Sequence, residues 1–127
     1  MFSFVRDRGP IIISAEVGGP TGTTATELIL DTAATSTMLS PRLLALVGYD
    51  PDLFRERVRI AMGNGIELAP RVQVNRFSAL GQHRFGFLVV CHALPAEVGG
   101  DGLIGLDFFR GNKLTIDFRN GQIDLTV

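Results

Sequence analysis

Leu28-Ile29-Leu30-Asp31-Thr32-Ala33-Ala34-Thr35-Ser36-Thr37-Met38-Leu39-Ser40 runs from an apolar stretch into one carboxylate, then into a turn of small and hydroxyl residues. A strand of this kind delivers Asp31 to a place where its charge cannot simply face bulk water. An ionised carboxylate taken from water is costly unless it accepts hydrogen bonds or shares a proton. Thr32 offers a hydroxyl, and the small Ala33 and Ala34 leave their backbone N–H groups accessible. One such aspartate in a chain of 127 residues reads as half of an active site.

The surroundings of this stretch define the class of chain. A length of 127 residues predicts a single domain spanning 1–127, long enough to bury roughly two thirds of its unfolded surface. Hydrophobic residues at 46% against 20% charged exclude disorder. A net charge of −1 with no Lys/Arg cluster argues against nucleic-acid binding, which rests on neutralising phosphates. The single cysteine, Cys91, forms no intrachain disulfide, so nothing requires an oxidising compartment. No apolar run approaches the roughly 18–20 residues of a membrane span. Arg6, Asp7 and Arg8 interrupt the apolar start too early for a secretion signal. The expectation is a cytoplasmic protein that neither enters a membrane nor binds nucleic acid.

Glycine and proline punctuate the chain at short intervals, and the segments between them are strand-like. Residues 11–17 and 23–30 are separated by Gly18-Gly19-Pro20, a turn signal. Residues 58–62 alternate before Gly63-Asn64-Gly65, whose residues tolerate the positive φ of a tight hairpin. Residues 66–68 return, Pro70 opens a further strand over 72–80, and 84–90 follows the turn at Gly81-Gln82. A last hairpin joins 114–118 to 122–125 across Arg119-Asn120-Gly121. Two short helices complete the reading. Ser40-Pro41 is an N-cap and first-turn proline ahead of Leu43, Leu44 and Val47, with Gly48 as the stop; the second covers about Gly105 to Arg110. Residues 28–31 and 103–106 form a faint internal echo, each an apolar run that breaks into a turn. Many short strands at this spacing predict a small all-β barrel or sandwich.

The chemistry open to Asp31 depends on whether a second copy approaches it. Two carboxylates about 3 Å apart repel by roughly 5 kcal/mol at an effective dielectric of about 20. They then share one proton and titrate as a unit. One carboxylate of such a pair takes a proton from water while the other protonates a peptide carbonyl.

The stretch from Asp31 to Ser40 resembles the Asp-Thr-Gly-Ala-Ser-x-Thr-Val-Leu-Ser signature of retropepsin-like aspartic peptidases. Residues 101–109, Asp-Gly-Leu-Ile-Gly-Leu-Asp-Phe-Phe, are similar to the apolar-apolar-Gly stretch and helix start that close that fold. Met62-Gly63-Asn64-Gly65-Ile66 falls where the family carries its substrate-covering flap. Thr35 and Leu106 stand where retroviral members usually show an acid and an arginine, so the likeness is to the single-domain cellular and bacterial branch. The resemblance implies a retropepsin-like closed acid-protease barrel with one or two short helices, working as a symmetric homodimer. It implies peptide hydrolysis by an activated water, with no cofactor and no metal. Asp31 is then the catalytic carboxylate contributed by each protomer. Thr32 bonds across the two-fold axis, and the Ala33 backbone aligns the carboxylates. Met62, Gly63, Asn64 and Gly65 cover an extended peptide substrate and exclude water. Leu103, Ile104 and Gly105 support the loop from behind. Ala33 replaces the family's usual glycine, and a positive φ there would cost about 1–2 kcal/mol.

Two other readings compete. One keeps the fold as a peptide-binding or dimerisation module without catalysis. The other is a non-peptidase hydrolase that pairs Asp31 with His83 or His92. Cys91 and His92 are neighbours on a strand and point to opposite faces, so they neither grip one metal ion nor form a nucleophilic pair. Asp107 reads as a helix-start or loop hydrogen-bonder, and Asp117 and Asp124 as solvated members of the last hairpin.

Overall fold

The computed structural model describes residues 1–127, the side chain of Met62 excepted. In chain order the strands are β1 (Phe2–Ser3), β2 (Ile12–Gly19), β3 (Gly22–Leu30) and β4 (Met38–Leu39). Helix α1 (Pro41–Leu46) and a 3-10 turn (Pro51–Leu53) precede β5 (Arg57–Met62), β6 (Gly65–Ala79), β7 (Gln82–Cys91) and β8 (Gly102–Ile104). Helix α2 (Leu106–Phe109) leads into β9 (Lys113–Asp117) and β10 (Gln122–Thr126).

Alternation along β2 turns Ile13, Ala15 and Val17 inward and the residues between them outward, as the two-residue period of a strand requires. The order β2-β3-β8-β4-β7-β6 closes on itself because β6 also pairs with β2, Val17 lying opposite Phe77. The result is a closed barrel, as the sequence predicts. A second sheet, β1-β10-β9, lies outside that ring. There Asp117 accepts bonds from the N–H groups of Arg119 and Asn120. The Asn120 side-chain amide holds the Asp117 carboxyl below its ordinary range.

The barrel is filled by one cluster that includes Phe77, Phe108, Leu28, Leu43, Leu44 and Ile104, all essentially without solvent contact. Phe108 meets Phe77 edge-on at 5.3 Å, and Phe77 stacks on Phe87 at 5.4 Å; such pairs add about 0.5–1.5 kcal/mol beyond burial. The Arg84 guanidinium lies 4.7 Å from the Phe108 ring centroid. It donates to the Phe108 carbonyl at 3.0 Å and to Asn112 at 2.7 Å, which caps the carboxyl end of α2. Helix α1 forms where Ser40 predicts it, the Leu43 N–H donating to Ser40 Oγ at 3.1 Å.

Two local expectations change. Pro70 opens no new strand, because β6 runs unbroken through it. The Arg71 N–H donates to the Glu56 carbonyl on the β5 side. Successive backbone groups face opposite edges, so the Pro70 nitrogen faces β7, whose pairing begins only at Arg71. The proline therefore removes no ladder bond, the condition under which sheets tolerate it. In the β6–β7 turn both Leu80 (φ 51°) and Gly81 (φ 76°) are left-handed, the mirror-image conformation that suits a tight hairpin.

Replacing Phe108 by Ala should lower the unfolding free energy by about 3–5 kcal/mol, seen as a lower denaturant midpoint at unchanged slope. A loss below about 1 kcal/mol would mean the site collapses around the void and the aromatic cluster does not anchor the barrel.

Candidate active site

Asp31 follows β3 directly, and its loop returns to the barrel at β4. Strand β8 runs parallel to the end of β3, with Ile29 opposite Leu103 and Leu30 opposite Ile104. The two segments of the internal echo thus lie side by side. Strand β8 also pairs antiparallel with β4, Met38 opposite Leu103. The loop from Asp31 to Thr37 therefore springs from, and returns to, the two neighbours of one short strand.

The chain just after β8 clamps this loop. Asp31 N–H donates to the Ile104 carbonyl at 3.0 Å, Leu106 N–H to Ala34 at 2.8 Å, and Asp107 N–H to Thr35 at 3.2 Å. The Asp107 carboxylate accepts from the Thr37 N–H at 2.9 and 3.0 Å and from Thr37 Oγ1 at 2.7 Å. Thr37 Oγ1 in turn accepts from the Gly105 N–H at 3.2 Å. Thr37 is fully buried, so these bonds satisfy polar groups that would otherwise carry a full desolvation cost. A Cβ on Gly105 would stand 2.7 Å from the Ser36 carbonyl carbon and 2.9 Å from the Ala34 oxygen. Only glycine permits that approach, because the atoms it would strike are backbone.

Asp31 is half-buried. Its Oδ1 accepts from the Ala33 N–H at 3.0 Å. Among the described residues no other group of the chain bonds its carboxylate, and no buried polar side-chain atom lacks a partner. The rest of the Asp31 carboxylate has no partner among the described residues. Thr32 and Ala33 beside it are exposed. Ala33 does not adopt a positive φ, Leu80 being the one non-glycine residue that does among those described. The strain a left-handed alanine would carry is absent.

A cleft of about 340 Å³ opens next to this loop, bounded by Ala33–Ser36, by Val58–Ala61 of β5, and by Met38 and Val90. Strand β5 ends its sheet and, among the described residues, pairs only with β6, leaving its other edge without a partner strand there. Beyond it Gly63 and Asn64 form the hairpin turn, with Met62 opposite Gly65. Gly65 alone of these turn residues takes a positive φ, at 141°. A Cβ at Gly63 or Gly65 would meet nothing within 4 Å, so the tip stands clear of the barrel. The side chain of Met62, expected to touch substrate, lies outside the described residues.

The remaining candidates lie elsewhere. A groove of about 320 Å³ beside Phe2, Ser14, Ala25 and Ala79 is bordered by His83, whose Nδ1 lies 2.6 Å from Ser78 Oγ. It contains no residue of the Asp31 loop, whereas the other cleft is lined by Ala33–Ser36. His92 lies 2.6 Å from Glu67 and 2.6 Å from the Ala93 carbonyl. Neither histidine bonds Asp31, which removes the support for a mixed Asp–His site. Burial pushes the Cys91 thiol up, with Asp52 adding to the effect and Arg57 opposing it.

The sequence reading of Asp107 as a helix-start or loop hydrogen-bonder holds, but its partner Thr37 and the lining positions of Met38, Arg59 and Val90 were not anticipated. A buried threonine in the motif and an aspartate two places after Gly105 were the available signals. Their partnership spans 70 residues of chain, which no local pattern reveals.

The parallel β3–β8 pair, the clamped loop and the projecting hairpin define an aspartic-peptidase fold of the retropepsin type. The aspartyl protease family model matches residues 13–108, and the chain belongs to that family. It is similar in structure to a retropepsin-like aspartic protease from Rickettsia conorii, with a TM-score of 0.72 and 19% identity over 97% of this chain and 86% of that one. No curated protein sequence matches it.

Gly105→Ala should destabilise the fold by about 1–3 kcal/mol, the usual cost of overpacking, and should loosen the Asp31 loop; a variant as heat-stable as the parent would refute the close approach. A buried thiol with a raised pKa should be inert, so Cys91 should react with an aromatic disulfide reagent only as the protein unfolds. Rapid reaction under native conditions would show that the barrel opens locally at β7.

Proposed function

We propose that the chain is an aspartic endopeptidase whose catalytic pair is assembled from Asp31 of two identical protomers. The observation that carries this reading is the half-buried Asp31 carboxylate, bonded only by the Ala33 N–H among the described residues, in a loop whose next residues, Ala33–Ser36, line a cleft of about 340 Å³. A two-fold axis beside this loop brings a second Asp31 to the first, and the interface is isologous. Thr32 lies beside that axis and is free to bond the partner loop. The shared proton is the established behaviour of aspartic proteases, and this chain supplies the loop that presents the group.

The substrate in this reading is an extended peptide. The free edge of β5 offers unpaired backbone donors and acceptors, and strand addition is the ordinary way an edge takes a peptide. The Ala33–Ser36 backbone forms the facing wall. The apolar Val58, Ile60, Met38 and Val90 favour apolar side chains near the cut. Gly63, Asn64 and Gly65 close over the bound chain and exclude water. The attacking water is activated by one carboxylate while the other protonates the peptide carbonyl, with no covalent intermediate. A non-catalytic peptide-binding module has no specific observation in its favour, since Ala33 introduces no backbone strain.

Asp31→Asn should reduce cleavage of an apolar peptide by about 10²–10⁴-fold between pH 3 and 7, the scale of lost acid–base catalysis, with its fold retained. Specific activity should fall as the protein is diluted through its dimerisation constant, tracked by sedimentation. Equal cleavage by both proteins would remove Asp31 from the mechanism. A fully active monomer would remove the pair.

A further inference from the structure

We infer that Arg59 makes this cleft selective for peptides that carry an acidic side chain close to the apolar residues beside the cut, an inference that rests on the peptidase reading above. Among the cleft-lining residues Arg59 is the single ionisable one, the others being alanine, threonine, serine, methionine, valine and isoleucine. Its neighbours on the flap hairpin do not neutralise it. Glu56, just before β5, is held by Arg71 at 3.0 Å. Glu67, on β6, is held by His92 at 2.6 Å. Arg57 donates to the carbonyls of Phe54 and Glu56. Directly opposite Arg59 in the hairpin stands Leu68. Among the described residues Arg59 has no ion pair and no hydrogen bond, and it is exposed.

A cation left unpaired on the free edge of β5 therefore borders the groove in which a substrate strand would lie. Side chains from both faces of an edge strand flank a peptide added to it, so Arg59 reaches the added strand from one side. A planar guanidinium matches a carboxylate through two parallel bonds, a geometry an amide or an amine cannot reproduce. Closure of the hairpin over the peptide lowers the local dielectric and strengthens that pair. Two protomers place one Arg59 on each side of the two-fold axis. The favoured substrate is thus an apolar segment with acidic residues flanking it.

The test uses the intact chain and a set of apolar decapeptides in which each position in turn is Glu, Gln or Lys. Cleavage is followed for the parent, Arg59→Gln and Arg59→Glu, and binding of the same peptides by Asp31→Asn and Asp31→Asn/Arg59→Gln is followed by fluorescence anisotropy. At one or more positions the parent should prefer Glu over Gln by about fivefold, the upper range for a solvent-exposed ion pair, and Lys should be worst. Arg59→Gln should erase that preference and Arg59→Glu should invert it. Added salt should weaken it in the parent, a response that a purely structural role would not show. Charge-blind cleavage, or a cleavage preference that survives Arg59→Gln, overturns the inference and leaves the peptidase reading standing, whereas charge-blind binding without cleavage overturns both. Charge-selective binding without cleavage by the parent overturns the peptidase reading and supports the role of Arg59. Absence of both binding and cleavage overturns both.

Discussion

The close approach between Gly105 and the backbone at Ala34 and Ser36 is the constraint on which the rest of this structure depends. It lets the first turn of α2 bond the Asp31 loop at Ala34 and Thr35, and it brings Asp107 within reach of Thr37. A loop of small residues has little intrinsic preference for one shape. Here its shape is imposed from outside, by backbone donors whose own positions are set by the barrel. The apolar end of α2 completes the chain of cause, since Phe108 is locked among Phe77 and Phe87 and capped by Arg84. A rigid aromatic core thus fixes α2, α2 fixes the loop, and the loop fixes Asp31. Functional groups held by such a supporting layer keep their geometry, whereas unsupported loops do not.

The barrel and the hairpin divide the work differently. Strand β6 belongs to both, its first half pairing with β5 and its second half with β7 and β2. The second half is buried on its inner face, and the first half is exposed from Gly65 to Leu68. Pro70 sits at the exchange of partners, where its missing N–H is not needed. One continuous strand can therefore be anchored at one end and free at the other. Few buried apolar contacts and an exposed backbone are the features expected of segments that open locally, which suits the covering role we propose for the hairpin.

What could be read from the chain beforehand follows the range of the forces involved. Ser40 and Gly48 announce α1 because capping and left-handed stops act within a few residues. The turn at Asn64 and the closing hairpin at Asn120 are likewise local. The Asp31 motif is legible because chemistry demands several particular residues in a row. The parallel contact of β3 with β8, and the Thr37–Asp107 bridge, join segments some seventy positions apart and leave no periodic trace. Pro70 was misread for the same reason: a local rule against proline in strands applies only if that nitrogen faces a neighbour, and the neighbour is set by topology. Arg59 became informative only once the partners of Glu56 and Glu67 were known. A free charge is defined by what its neighbours already hold.

Ala33 illustrates how the same residue changes meaning between the two levels. In the sequence it stands where the family uses glycine, and the concern is a left-handed backbone that alanine resists. The loop does not adopt that backbone at Ala33, so the cost that would have acted within one chain is absent. Ala33 is exposed and lines the cleft. The neighbours its methyl would crowd are those brought by a partner loop or a bound peptide. In the proposed dimer that methyl appears twice, near the axis, where it narrows the space between the two carboxylate loops and the substrate backbone. A substitution that looks like a threat to folding is thereby a question of fit at the cleft. In that dimer its consequence would fall on which peptides enter, the same property that we infer Arg59 to govern by charge.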